Sequence, residues 1–202
     1  MNWDDNAFII SKKKFRENAI ILDIFTCNHG KVSGIVYGGN SRKVKNYLQL
    51  LNKIFVIYNS KSENKIGYFK TELINPISPL YFDNKIKILC INSLSSLLKA
   101  VLPENQPYEK IYKSLCYLLE NFSDSNWLRS YLDWEINLIN NLGFGFKIDE
   151  SKYKNLHLNK TINVKLDNIN YEIPSFLISN HPLKIDEKDI YKGLNFSRNL
   201  ME

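Results

Sequence analysis

Cysteine and histidine are scarce in this chain, and their scarcity removes whole classes of function. The three cysteines, Cys27, Cys90 and Cys116, are odd in number and far apart, which excludes a disulfide framework and a Cys-x-x-Cys metal knuckle. They are expected to be small buried hydrophobes. The three histidines, His29, His157 and His181, are scattered and read as turn or surface residues rather than ligands. The chain has no phosphate-binding Gly-rich loop ending in Lys-Ser/Thr, no Gly-x-Ser-x-Gly elbow, no His-Glu-x-x-His and no Gly-x-Gly-x-x-Gly. The expectation is a protein that is not an enzyme, with no catalytic residue, no metal and no cofactor. No apolar run approaches the roughly 20 residues that cross a bilayer, and the opening Met1-Asn2-Trp3-Asp4-Asp5 carries acid where a secretory signal carries base. A cytoplasmic protein without a membrane partner is expected.

Hydrophobic residues make up 44% of the 202 positions and charged residues 24%, enough to bury a core in one large domain or two small ones. The formal net charge of +6 is unevenly spread. Residues 1–80 hold 12 Lys/Arg against 6 Asp/Glu, and residues 81–202 hold 15 against 15. A basic excess confined to one part of the chain points to a module that binds a polyanion, because phosphate binding is driven by local cation density and counterion release. A solvated basic face that serves only solubility is the plainer reading of the same numbers.

Residues 7–10, 19–26, 32–37, 54–59 and 66–74 are short, rich in β-branched and aromatic side chains, and bounded by turn-formers. They predict five strands, punctuated at Asn28-His29-Gly30 and at Gly38-Gly39-Asn40-Ser41. Five short strands followed by a change of pattern fit a small closed barrel of the OB or SH3-like kind. Pro76 and Pro79 break strand pairing and place a domain boundary near residue 80. Beyond it the apolar period becomes helical. Ile91 to Leu102, Tyr108 to Phe122 and Leu128 to Leu142 form three stripes, the third beginning after an expected cap at Asp124-Ser125 and ending at Gly143. Residues 147–187 are expected to be irregular, with a hairpin across 162–173, and a last helix is expected near 188–201. The acids Asp186, Glu187 and Asp189 read as the cap of that helix rather than a metal site.

The candidate site is the run Gly38-Gly39-Asn40-Ser41-Arg42-Lys43-Val44-Lys45, read as a flexible turn with three cations in four residues. Lys12, Lys13, Lys14, Arg16 and Lys31 are expected at strand ends or turns of the same barrel, where closure would gather them on one side. Base stacking needs exposed aromatics, and Phe15, Tyr37 and Tyr47 are the candidates, each weighed against packing in the barrel.

The order of residues also carries a resemblance. Ile20-Ile21-Leu22-Asp23-Ile24-Phe25-Thr26, His29-Gly30-Lys31 and Gly34-Ile35-Val36-Tyr37-Gly38-Gly39-Asn40-Ser41-Arg42-Lys43-Val44-Lys45 are similar to the amino-terminal barrel of RecO proteins. Tyr131-Leu132-Asp133-Trp134-Glu135-Ile136 through Leu142-Gly143-Phe144-Gly145-Phe146 resembles the glutamate-containing helix of that family, and Tyr191-Lys192-Gly193-Leu194 is a weaker third match. The resemblance implies an α+β chain: a five-stranded OB-fold barrel over residues 1–80, then a helical domain over 81–202. It implies a recombination mediator of the RecFOR type that binds single- and double-stranded DNA and anneals complementary strands. The implied partners are RecR, the acidic tail of single-strand DNA-binding protein and, indirectly, RecA, on the nucleoid. The site residues it leads us to expect are Lys13, Lys14, Arg16, Lys31, Tyr37, Arg42, Lys43 and Lys45.

The chain departs from the family in several places. Many relatives carry a four-cysteine zinc site after the Leu-Gly-aromatic end, whereas residues 147–202 hold no cysteine, so no zinc module is expected. Relatives often have a base where Tyr37 and Asn40 stand, Pro-Gly at Leu50-Leu51, and arginine at Asp133. No tail-binding residue is therefore carried onto the helical domain. An OB-type RNA-binding factor and a protein adaptor that does not bind DNA are the alternative readings.

Overall fold

The computed structural model describes residues 2–62, 65–143, 161–166, 169–177 and 186–201. The chain forms two compact units, residues 1–113 and 114–202.

The first unit is built on five strands: β1 (Asn2–Arg16), β2 (Ala19–Thr26), β3 (Gly30–Tyr37), β4 (Lys53–Asn59) and β5 (Gly67–Asn75), with helix α1 (Arg42–Tyr47) between β3 and β4. They close in the order β1-β2-β3-β5-β4, with β4 pairing back to β1. All pairs are antiparallel except β3 with β5, a parallel seam of two register pairs, Gly34 with Gly67 and Ile35 with Tyr68. This is the OB topology, which decides between the two barrels the strand pattern allowed. The seam is tight. A Cβ added at Gly34 would fall 2.5 Å from the Phe69 ring, so only glycine lets β3 approach β5 there.

Two sequence expectations change within the barrel. The strand predicted at 7–10 runs from Asn2 to Arg16, because the polar residues flanking Ala7-Phe8-Ile9-Ile10 continue the ladder while their side chains meet solvent. Ala7, Phe8, Ile9 and Ile10 are all buried, since the strand is covered on both faces. Its inner face joins a core of Ile20, Leu22, Ile24, Val36, Ile54 and Val56. On its outer face Phe8 meets Tyr112, at 5.4 Å between ring centroids. The second change is at Arg42–Tyr47, predicted as a flexible turn and found helical. Val44 and Tyr47 pack against the barrel core, and that contact with the barrel holds so short a helix.

Helix α2 (Lys85–Val101) follows a 3-10 turn at Ser78–Tyr81, and the Asn84 side chain caps it by accepting from the Lys87 amide. A polar strap fixes its last turns to the barrel. Lys99 donates to the Ser11 hydroxyl at 2.7 Å and lies 3.4 Å from the Asp23 carboxylate, which also accepts from Ser33. Helix α3 (Glu109–Glu120) begins on this unit, where the Tyr112 hydroxyl donates to the Asn6 carbonyl.

The second unit holds helix α4 (Trp127–Asn141), the hairpin of β6 (Thr161–Leu166) with β7 (Ile169–Pro174), and helix α5 (Glu187–Met201). The expected cap at Asp124-Ser125 is replaced by Asn126, the residue before Trp127. Asp186 caps α5 as expected, accepting from the Asp189 amide at 2.7 Å. Gly193 lets α5 approach α4, for a Cβ there would fall 2.3 Å from Leu132. The three cysteines are in no disulfide and are half-buried, not the fully buried hydrophobes expected. His157 and His181 lie outside the described residues. No described helix is long and apolar enough to cross a membrane.

Glu135, the one acid in the apolar stripe of α4, is 5% exposed. The Tyr131 hydroxyl donates to one of its carboxylate oxygens and the Ser197 hydroxyl to the other, at 2.8 Å. Burial pushes the Glu135 carboxyl above its ordinary value of 4.5, against the pull of the two hydroxyls. A proton held more tightly in the folded state gives stability that is fully present below that ordinary value. It is lost as pH rises from there through the raised folded value. Thermal unfolding of the protein and of Glu135→Gln should therefore show the protein losing melting temperature relative to the variant as pH rises above 4.5. A difference that stays flat with pH would show that Glu135 titrates alike in both states.

Candidate nucleic-acid interface

Lys12, Lys13, Lys14 and Lys45 line one hollow of about 210 Å³, floored by Ile20, Gly39 and Leu48 and edged by Asn40. The first three lysines come from the far half of β1, not from strand ends as the sequence suggested, and the fourth comes from α1. Three hydrogen-bonded ties bring the two elements together. Gly38, at φ +72, turns the chain out of β3, and its amide donates to the Asn18 carbonyl at 2.7 Å. The Asn40 amide group donates to the carbonyls of Glu17, at 2.9 Å, and of Arg16. The Lys12 ammonium donates to the carbonyl of Leu48 at 2.7 Å and to the Gln49 side chain at 2.9 Å. Leu48 ends α1, so this bond places a cation at the negative end of the helix. Burial, and second the Lys45 ammonium, hold Lys12 below its ordinary pKa. Lys12 thus acts as a bracket between β1 and α1.

Lys13, Lys14, Arg16, Arg42, Lys43 and Lys45 are exposed at this end of the barrel, and none pairs with a carboxylate among the described residues. Six such cations on two elements make this end of the barrel locally basic, and a local excess of positive charge raises the concentration of a polyanion there.

Lys31 stands apart. It is the second residue of β3 while Tyr37 is the last, and six rises along the strand separate them by roughly 20 Å. Its ammonium donates to the Lys99 carbonyl near the end of α2, at 2.9 Å. Tyr47 is not a free ring, for its hydroxyl bonds to Thr71 and its side chain packs on the core. Phe15 and Tyr37 are exposed, at 42% and 64%. The Arg16 guanidinium lies 5.1 Å from the Phe15 ring centre, which occupies one of that ring's faces. Tyr68, absent from the sequence-based candidates, lies beside Tyr37 and is itself exposed. Among the described residues no group of three or more His, Cys, Asp or Glu side chains could hold a metal ion.

The family model described as "Recombination protein O N terminal" matches residues 1–77, the barrel with its basic end, and the one described as "Recombination protein O C terminal" matches residues 84–151. The chain belongs to the RecO family. The "DNA repair protein RecO" of Wolbachia sp. subsp. Drosophila simulans (strain wRi) is 35% identical over 154 residues, 75% of this chain and 62% of that protein. The proteins of the same name from Ehrlichia chaffeensis and Rickettsia canadensis are 32% and 34% identical, over 80% and 75% of this chain and 66% and 62% of their own. The chain thus matches about three fifths of the length of these RecO relatives. Both family models stop short of the hairpin and α5, so the RecO matches bear on the barrel, α2, α3 and α4.

Proposed function

We propose that this chain is a DNA repair protein acting as a recombination mediator without covalent chemistry of its own. It binds single- and double-stranded DNA at the basic end of the barrel, anneals complementary strands, and works with RecR to load RecA onto DNA coated by single-strand DNA-binding protein, whose acidic tail it contacts. Its place of action is the nucleoid, in the cytoplasm. The observation that carries this reading is the set of six unpaired cations that β1 and α1 bring to one end of an OB barrel. Cations on a rigid barrel meet phosphates without reading sequence. Two complementary strands repel through their phosphates, and a surface that neutralises part of that charge lets base pairing supply the free energy of joining. No nucleotide hydrolysis is required for this step.

The test is annealing of complementary strands coated with single-strand DNA-binding protein, followed by fluorescence over a salt series. The expected result is annealing that this protein accelerates without nucleotide, with the acceleration lost at high salt. Failure to accelerate annealing at low salt would overturn the mediator reading.

A further inference from the structure

The outer wall of the barrel carries a pair of rings that the basic hollow does not use. Tyr37 and Tyr68 have centroids 6.3 Å apart and planes inclined at 54°, and they are 64% and 37% exposed. They flank the seam between β3 and β5. In β2 and β3 the side chains of Ile20, Leu22 and Val36 join the core, so strand alternation turns Ile21, Ile35 and Tyr37 to the outer face, where Ile35 is covered and Tyr37 is exposed.

The register ties these rings to the cations. Lys13 pairs with Ile21, Ile21 with Ile35, and Ile35 with Tyr68, forming one row across four strands. Arg16 pairs with Ala19 and Ala19 with Tyr37, forming a second. With about 4.8 Å between neighbouring strands, Arg16 is roughly 10 Å from Tyr37 and Lys13 roughly 14 Å from Tyr68, measured along the sheet. A strand of nucleic acid whose bases lie on the rings would keep neighbouring phosphates within reach of Lys13 and Arg16. Lys70, exposed and two residues beyond Tyr68, adds a cation on the other side of the pair.

The two kinds of group read different things. Lysine and arginine meet phosphate in single strands and duplexes alike, whereas a tyrosine face needs a base whose own face is free, which a duplex hides within its stack. We infer that Tyr37 and Tyr68 form a stacking platform for unpaired bases, and that this platform makes the barrel prefer single-stranded to duplex DNA. The inference rests on the DNA-binding reading above and adds the selectivity.

The experiment is fluorescence anisotropy at one salt concentration with three probes of equal length: oligothymidylate, the same backbone without bases, and a duplex. The unaltered protein should bind oligothymidylate about tenfold or more tighter than the abasic strand. Tyr37→Leu with Tyr68→Leu should lose that advantage, with duplex binding unchanged. Tyr37→Phe with Tyr68→Phe, which keeps both ring faces, should retain it. Equal binding of base-bearing and abasic strands by the unaltered protein overturns the platform and leaves the basic site standing, and this comparison needs no variant to fold. Equal losses for single strand and duplex in the leucine variant would overturn the selectivity. Absence of binding to all three probes at low salt would overturn the DNA-binding reading itself, and the platform with it.

Discussion

Replacing Arg42, Lys43 and Lys45 together by alanine is expected to lower the affinity for single-stranded DNA on the order of 100-fold near 0.1 M salt. Each phosphate contact releases condensed counterions and contributes roughly 0.7 to the slope of log affinity against log salt on a single strand. At about 0.1 M salt each contact is therefore worth a little under a decade in affinity, and three contacts about two decades. The slope itself should fall by about 2, with no change in sequence preference. The substitution spares the fold, because Val44 and Tyr47, not the cations, hold α1 against the barrel, and alanine favours a helix as well as any residue it replaces. A salt titration of binding measures both quantities. An unchanged slope would mean that α1 does not meet DNA. Lys31→Ala is the internal contrast. Its ammonium is bonded to the Lys99 carbonyl, so the variant should loosen α2 and leave the salt slope as it was.

The sequence showed the barrel strands through their β-branched cores and the helices through their apolar period, because both patterns report burial directly. The cations of β1 were visible as residues and not as a place. Ser11-Lys12-Lys13-Lys14-Phe15-Arg16 has no alternation to mark a strand, and only pairing with β2, shifted at two points, fixes where those side chains emerge. Arg42 to Lys45 looked like a loop because the run follows two glycines, while the contact that makes it a helix is with the barrel core. Lys31 looked like one more cation of the same group, since distance along the chain does not reveal that β3 carries it to the opposite end of the barrel. Tyr68 was passed over because its partner in the ring pair stands on a strand that joins β5 only at the closing seam. Leu51 shows a different limit. Its backbone is left-handed, at φ +57, where the RecO resemblance has glycine. The strained conformation is held by a fully buried side chain and by its amide, which donates to the Ile9 carbonyl at 2.7 Å.

Asn52 is the residue whose importance the sequence hid most completely, and Asn52→Leu is expected to destabilise the first unit by about 3 kcal/mol or more. In Leu50-Leu51-Asn52-Lys53 it reads as turn punctuation before β4. In the fold it is fully buried, and its side-chain oxygen accepts from the amides of Ile77, at 2.7 Å, and Ser78, at 3.1 Å. Its side-chain nitrogen donates to the Tyr47 carbonyl at 2.8 Å. One carboxamide therefore binds the end of α1, the start of β4 and the turn into α2. Leucine has similar bulk and fills the space, so the loss isolates hydrogen bonding: the Ile77 and Ser78 amides lose their acceptor, each at a cost of about 1 to 3 kcal/mol where water does not replace it, while the Tyr47 carbonyl keeps its bond from the Gln49 amide. Asn52→Asp separates the halves of the arrangement. Its carboxylate still accepts from Ile77 and Ser78, but it sets an anion against the Tyr47 carbonyl in a buried site. It should therefore also destabilise, and should recover as the pH falls and the carboxyl takes a proton to donate. Urea unfolding of the three proteins across pH measures this, and an Asn52→Leu midpoint equal to that of the unaltered protein would show that the two amides find other partners. Because α1 hangs on the same carboxamide as the turn into α2, the leucine variant should also lose DNA affinity while every cation of the basic end is still present.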